Sequence, residues 1–285
     1  MTWLAVAKKD FRDAVQSRAL WALVAVFVLL SVGSTYAYVE VPELFGGPAA
    51  PTLGGLLFFT VGLTGLFVPL AAIVVCQKSL AGERELGSIK LLLSLPTNRR
   101  HVFFGTVLGR AGVLAFGLGV GLLVGLGVGA LLLGRLAPVP MAVFLLVTLA
   151  FAAVYAAIVT SLSATTGSTT RATALALGFF VVFELVWDVV PLGVLYVVSG
   201  FSLPSESPDW LALLTQVPPS SAYFSTVVTL LPDLASDAGA AAGSGVGADG
   251  ATPFYAGPEA GILVLACWVV VMLAVGYTRF AAADL

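Results

Sequence analysis

The sequence predicts an all-α, polytopic membrane protein with six membrane-crossing helices, and three observations carry that prediction. Of its 285 residues, 59% are hydrophobic and only 10% are charged, against roughly 25% charged residues in soluble domains. Six apolar stretches reach the length of about 20 residues that a hydrocarbon core about 30 Å thick requires. The lysines and arginines gather on one side of those stretches, as the positive-inside rule demands of cytoplasmic loops. Barrel-type alternation is absent, and backbone amides removed from water must be satisfied within their own segment, so each stretch is read as a helix.

The spans are expected at Ala19–Tyr38, Leu56–Val75, Gly105–Leu133, Met141–Ser163, Ala172–Val190 and Gly261–Phe280. With the N-terminus inside, the cytoplasmic side holds Lys8, Lys9, Arg12, Arg18, Lys78, Arg84, Lys90, Arg99, Arg100, Arg110, Arg171 and Arg279, leaving Arg135 outside. The external segments carry Glu40, Glu43, Glu206, Asp209, Asp233, Asp237, Asp249 and Glu259. Both termini are therefore expected in the cytoplasm, and arginine over lysine with abundant alanine and valine points to the cytoplasmic membrane of a prokaryote. A net charge of −2 excludes a generally basic, nucleic-acid-coating surface.

The chain reads as one transmembrane domain over residues 1–285. Residues 1–18 place Leu4, Ala7, Phe11 and Val15 at helical steps with Lys8, Arg12 and Asp13 on other faces, the pattern of an amphipathic helix at the cytoplasmic interface. The first apolar run is read as a retained span, being long for a signal peptide and followed by a poor cleavage match at Thr35-Tyr36-Ala37. In the cytoplasmic segment 77–104, Leu86, Ile89, Leu92 and Leu93 recur at helical steps. A short helix is expected to begin near Glu83, with Glu83 and Glu85 favouring its dipole, and to stop before Pro96.

The third span carries Gly117, Gly121, Gly125 and Gly129 at four-residue steps, with Gly105 and Gly109 before them. Such a stripe admits another helix at close range, and a helix of the same subunit is the favoured partner over one from a second copy. The fifth span contains Glu184 and Asp188, one turn apart and so expected on one face. Ionisable residues inside a span are candidates for function, and a place near the outer headgroups is the structural alternative. The external segment 191–260 is apolar but broken by Gly200, Pro204, Pro208, Pro218 and Pro219, which reads as short helices re-entering the outer leaflet under cover of protein. Within it, 237–257 reads as a flexible loop rich in Ala, Gly and Ser.

Reactive chemistry is missing. The sequence holds no His-Glu-x-x-His pair, no phosphate-cradling Gly-x-x-x-x-Gly-Lys-Ser/Thr loop and no Gly-x-Ser-x-Gly elbow. Its one histidine, His101, is read as a surface group beside Arg99 and Arg100, and Cys76 and Cys267 as apolar filler. Neither catalysis, a bound cofactor, a metal site nor ATP hydrolysis by this chain is expected. An ion-coupled carrier fits less well, because the acidic pair occurs once and toward one surface; a membrane anchor or assembly factor for a cytosolic partner is the other competing class.

The stretch "ERELGSIKLLLSLPTNRRHVFFGTVLGR", Glu83 to Arg110, resembles the cytoplasmic signature of the ATP-binding-cassette type-2 permease family. The order Glu-Arg-Glu, Gly-Ser-Ile, Leu-Leu-Leu-Ser, Pro and an arginine lies between spans two and three, after an N-terminal interfacial helix. "VPPSSAY", Val217 to Tyr223, is similar to the family's Asn-Pro-x-Ser-Ala-type external segment. Asn98 and Thr106 depart from the usual serine and lysine. The resemblance implies a permease subunit that exports or flips a substrate, driven by a separate cytoplasmic ATPase holding ATP and Mg. It implies a second permease copy, identical or paralogous. Glu83, Arg84, Glu85, Leu86, Ile89, Lys90, Arg99 and Arg100 would then serve coupling to that ATPase.

Overall fold

The computed structural model describes residues 3–41, 51–87, 98–202, 208–239, 257 and 259–283. They form helices α1 (Trp3–Val15), α2 (Arg18–Glu40), α3 (Leu53–Cys76), α4 (Ser79–Glu85), α5 (Arg99–Leu133) and α6 (Pro138–Ala164). Then follow α7 (Thr169–Phe180), a π-helical turn (Val181–Val186), α8 (Val189–Val198), α9 (Asp209–Thr215), α10 (Pro219–Leu230), α11 (Pro232–Asp237) and α12 (Ala260–Ala281). Six of these elements are long and apolar enough to cross a membrane, in the order the sequence predicts. The protein is an all-α, polytopic membrane protein.

The fifth span differs from expectation. It does not run unbroken from Ala172 to Val190: α7 gives way to the π turn at Val181, and a separate apolar helix, α8, begins at Val189. A π turn inserts one residue into the helical register, so side chains beyond it leave the faces that a straight helix would give them.

α6 is the hub. It packs against α3, α4, α5, α7, α10 and α12, and its Phe144, Phe151, Ala152, Tyr155, Ala156 and Ile158 are buried. Its small residues let neighbours approach where lipid offers no competing hydrophobic drive. Coverage falls outward: 56% of the most apolar stretch of α6 is buried, but only 17% of that of the fifth span.

The most extensive interface joins α2 to α5, and the glycine stripe makes it. A Cβ on Gly121 would lie 2.7 Å from the Cβ of Phe27, and one on Gly125 would lie 2.8 Å from that of Ser31. Thr35 donates its hydroxyl to the Gly125 carbonyl at 3.3 Å. Gly117 meets Leu23, and Gly129 meets Thr35 and Leu56. The seam therefore lies within one chain. It continues past Ser17, whose hydroxyl caps α2 by accepting from the Leu20 amide: Gly105 meets Val6, Gly109 meets Asp10 and Gly112 meets Phe11.

α5 has 35 residues, about 52 Å at 1.5 Å per residue, so it exceeds the hydrocarbon thickness by about 20 Å. The end of α5 that carries Arg99, Arg100 and Arg110 supports α1. The apolar side of α1 is thus spent partly on α5, while Trp3 and Leu4 remain exposed.

Part of the segment between the fifth and sixth spans packs back onto the bundle. Pro218 and Pro219 start α10, and Tyr223 is fully buried, its ring stacked on Phe151 at 4.3 Å and 11°. The tyrosine hydroxyl lies 2.7 Å from Thr148 Oγ1 and 3.2 Å from Thr64 Oγ1, which joins α10 to α6 and α3. Two tryptophans fasten the stretch before α10: Trp187 donates to the Leu214 carbonyl at 2.7 Å, and Trp268 to that of Val217 at 2.8 Å.

Candidate functional site

Two groups of polar residues stand at opposite ends of the fifth span. The first surrounds α4 and the start of α7. α4 begins at Ser79, whose hydroxyl donates to the Cys76 carbonyl at 2.8 Å, and docks on α6 through the Ala81 amide, which donates to Ser163 Oγ at 3.1 Å. The sequence places Glu83, Arg84 and Glu85 at the start of a helix; the structure places them in the last turn of one. The reason is local: α4 follows closely on α3 after Gln77 and Lys78, and it closes at Leu86 before Gly87, which takes φ +71°, a left-handed conformation natural to a glycine after a helix. The dipole argument for the two glutamates is therefore reversed. Ile89 and Lys90 lie outside the described residues.

The charged triplet has partners in its own chain. Arg84 Nη1 donates to the Ala164 carbonyl at 3.1 Å, an acceptor in the last turn of α6. Glu85 Oε2 accepts the Thr169 amide at 2.7 Å, a donor in the first turn of α7. The N-cap residue of α7, Ser168, makes no side-chain cap bond of its own, so Glu85 supplies from α4 what a serine or aspartate usually supplies locally. Glu83 lies within electrostatic reach of Asp10, Lys9 and Arg110. Leu86, by contrast, is 84% exposed.

Arg99, Arg100 and Arg110 also brace ends. Arg99 Nη1 donates to the carbonyls of Ala281 and Ala283 at 2.7 and 2.9 Å, where the end of α12 leaves acceptors without helical partners. Arg100 Nε donates to the Tyr277 hydroxyl at 2.9 Å. Arg110 pairs with Asp10 at 3.4 Å and donates to the Val75 carbonyl at 3.2 Å, tying α1, α5 and α3 together. Burial holds the Asp10 carboxyl above the ordinary carboxylate range, against the downward pull of Arg110 and Lys9.

The second group lies at the far end of the fifth span, at the π turn. Glu184 sits in the π turn, and its carboxylate accepts from the hydroxyl of Tyr155 on α6 and is hydrogen-bonded to the side chain and backbone of Ser220 in the first turn of α10. Asp188 remains within electrostatic reach of Glu184 but is exposed and opens α8 without a side-chain cap bond. The structure thus gives the two carboxylates different surroundings: one holds helices together, the other faces outward.

Tyr155, Ser163, Thr169 and Ser220 were not singled out by the sequence reading. Ser220 alone carries a local signal, a hydroxyl next to a proline at a helix start. The others act through partners about 30 to 85 positions away in the chain, which periodicity does not connect.

The architecture can hold helix ends in register on both faces; among the described residues no group of three or more His, Cys, Asp or Glu stands together. A family model described as ABC-2 family transporter protein matches residues 4–285. The chain is 30% identical over 121 residues to a protein of Pseudomonas aeruginosa named "Probable ABC transporter permease protein NosY", the match covering 41% of each chain. It is 28% identical over 117 residues to a protein of the same name from Stutzerimonas stutzeri, again over 41% of each. These matches span well under half the length of either curated relative. With the family match running over nearly the whole chain and the six spans in place, the protein belongs to the ABC-2 transporter family.

Proposed function

We propose that this protein is the permease subunit of an ATP-binding-cassette transporter, in which a separate cytoplasmic ATPase binds the face built by α1, α4 and the inner end of α5. Two permease copies enclose the pathway, and ATP-driven movement of the ATPases alternates its access, exporting or flipping the substrate. Family membership and the permease relatives support the reading. The observation that carries it is Leu86: a largely exposed apolar residue at the end of a helix whose charged neighbours are engaged within the chain. An exposed apolar side chain on a braced cytoplasmic platform is an economical docking feature, because little conformational entropy is lost when a partner covers it.

The test is affinity purification of the tagged protein from gently solubilised native membranes, with mass spectrometry and an ATPase assay on the eluate. An ATP-binding-cassette ATPase is expected to co-purify, with recovery reduced at least tenfold by Leu86→Asp. Repeated absence of such an ATPase, under conditions that preserve a known transporter complex, contradicts the reading and favours an ion-coupled carrier. Recovery of an ATPase whose turnover is unchanged by the permease favours a passive anchor.

A further inference from the structure

The contacts of Arg84 and Glu85 converge on one feature, the cytoplasmic turn between the fourth and fifth spans. Arg84 takes the Ala164 carbonyl at the end of α6, and Glu85 takes the Thr169 amide at the start of α7. Gly167, between them, lies against the guanidinium: a Cβ there would be 3.7 Å from Arg84 Nε. The signs match the backbone. The negative end of α6 receives the cation, and the positive end of α7 receives the anion. Two adjacent residues of α4 thus grip both sides of one turn, and α4 is itself tied to α3 and α6 through Ser79 and Ala81.

The element gripped is the one with least cover. The fifth span buries the smallest share of its apolar stretch among the six, so few packing contacts hold its inner end. A sparsely packed element is displaced at lower free energy than one packed on all sides. Whatever moves α4 therefore pulls the turn, and the turn pulls α7.

We infer that Arg84 and Glu85 are positioning residues that carry movement of the ATPase-docking segment to the inner end of the fifth span, rather than residues that contact the ATPase. The inference rests on the coupling role proposed above. It divides the labour of the segment: Leu86 meets the partner, while the adjacent charges transmit displacement. Swapping the two residues preserves composition and net charge but sets a carboxylate against the Ala164 carbonyl, so the grip depends on order and not on charge content.

The experiment uses the full permease with its co-purified ATPase, in a Cys267→Ser background, and measures spin-label distances without nucleotide and with ATP and vanadate. One label pair, Lys78→Cys with Thr278→Cys, reports the start of α4, where Lys78 is exposed, against α12; the other, Arg171→Cys with Thr278→Cys, reports the fifth span. Both pairs are expected to shift on trapping in the otherwise unsubstituted protein. In the swapped variant Arg84→Glu/Glu85→Arg, the first shift is expected to persist and the second to be lost, while Glu85→Gln, which keeps an acceptor for Thr169, retains both. A full shift of the Arg171 pair in the swapped variant overturns the inference and leaves the coupling role standing. Loss of both shifts in that variant also overturns it, by placing the charges at the ATPase contact itself. No shift of either pair in the unsubstituted protein overturns the coupling role, and the transmission with it.

Discussion

The two ends of the fifth span are held by the same chemistry in opposite settings. At the start of α7, the exposed carboxylate of Glu85 caps the helix. At the π turn, the half-buried carboxylate of Glu184 meets the first turn of α10 and the Tyr155 hydroxyl. Water stands ready to replace a broken bond at the first site, so that fastening exchanges easily. At the second, breaking the contact strands polar groups in an apolar surrounding, where each unsatisfied partner costs about 1–3 kcal/mol. The fold thus pairs a compliant joint at the start of α7 with a stiff one at the π turn.

The contrast breaks first at its stiffest point. Tyr223→Ala removes a fully buried ring stacked on Phe151 and leaves Thr148 and Thr64 without their shared partner, and is expected to destabilise by about 3–5 kcal/mol. Thermal unfolding in detergent, followed by intrinsic fluorescence, measures the loss. Gly121→Val drives two methyls into Phe27, with an expected loss of about 1–3 kcal/mol from overpacking and separation of α2 from α5, visible as new accessibility of a cysteine introduced at Ser31. Next comes Glu184→Ala, about 2 kcal/mol through the unsatisfied Tyr155 hydroxyl and Ser220 amide. Asp188→Asn, at an exposed position, should fall within about 0.5 kcal/mol; equal effects at 184 and 188 would erase the difference between the two carboxylates.

At the compliant end, Glu85→Ala should leave the unfolding temperature close to that of the unsubstituted protein but raise hydrogen exchange at the Thr169 amide. The smallest effect concerns Asp10. Burial raises its carboxyl above the ordinary aspartate value, so the folded state binds more protons than the unfolded one just above that value. Stability from this group is full at lower pH and fades as pH rises through the raised value. Asp10→Asn removes that dependence, so its stability relative to the unsubstituted protein should improve with rising pH across the window; a pH-independent difference would contradict the buried placement.

What the sequence made legible follows from the range of each signal. Six spans are written in local composition, and their positions agree to within about six residues except at the π turn. The glycine stripe told of a close neighbour because four-residue spacing is itself geometric, and the favoured reading of a partner helix within the chain agrees with the contacts of Phe27 and Ser31. Glu83–Glu85 illustrate the opposite case. Periodicity from Leu86 onward pointed to a helix beginning at the triplet, but the acceptor and donor that position Arg84 and Glu85 lie 80 and 84 residues away. Likewise Glu184 and Asp188 share a face only on an unbroken helix, and no composition signal announces a π turn.

The central claim is that an ATPase docks at the end of α4, and the most direct measurement is photo-crosslinking in native membranes with benzoylphenylalanine placed at Leu86 and, as the external control, at Tyr196, which is exposed on α8. The account predicts an adduct with an ATP-binding-cassette ATPase from position 86 and none from position 196. Membranes that contain the ATPase but yield no adduct from position 86 would contradict it.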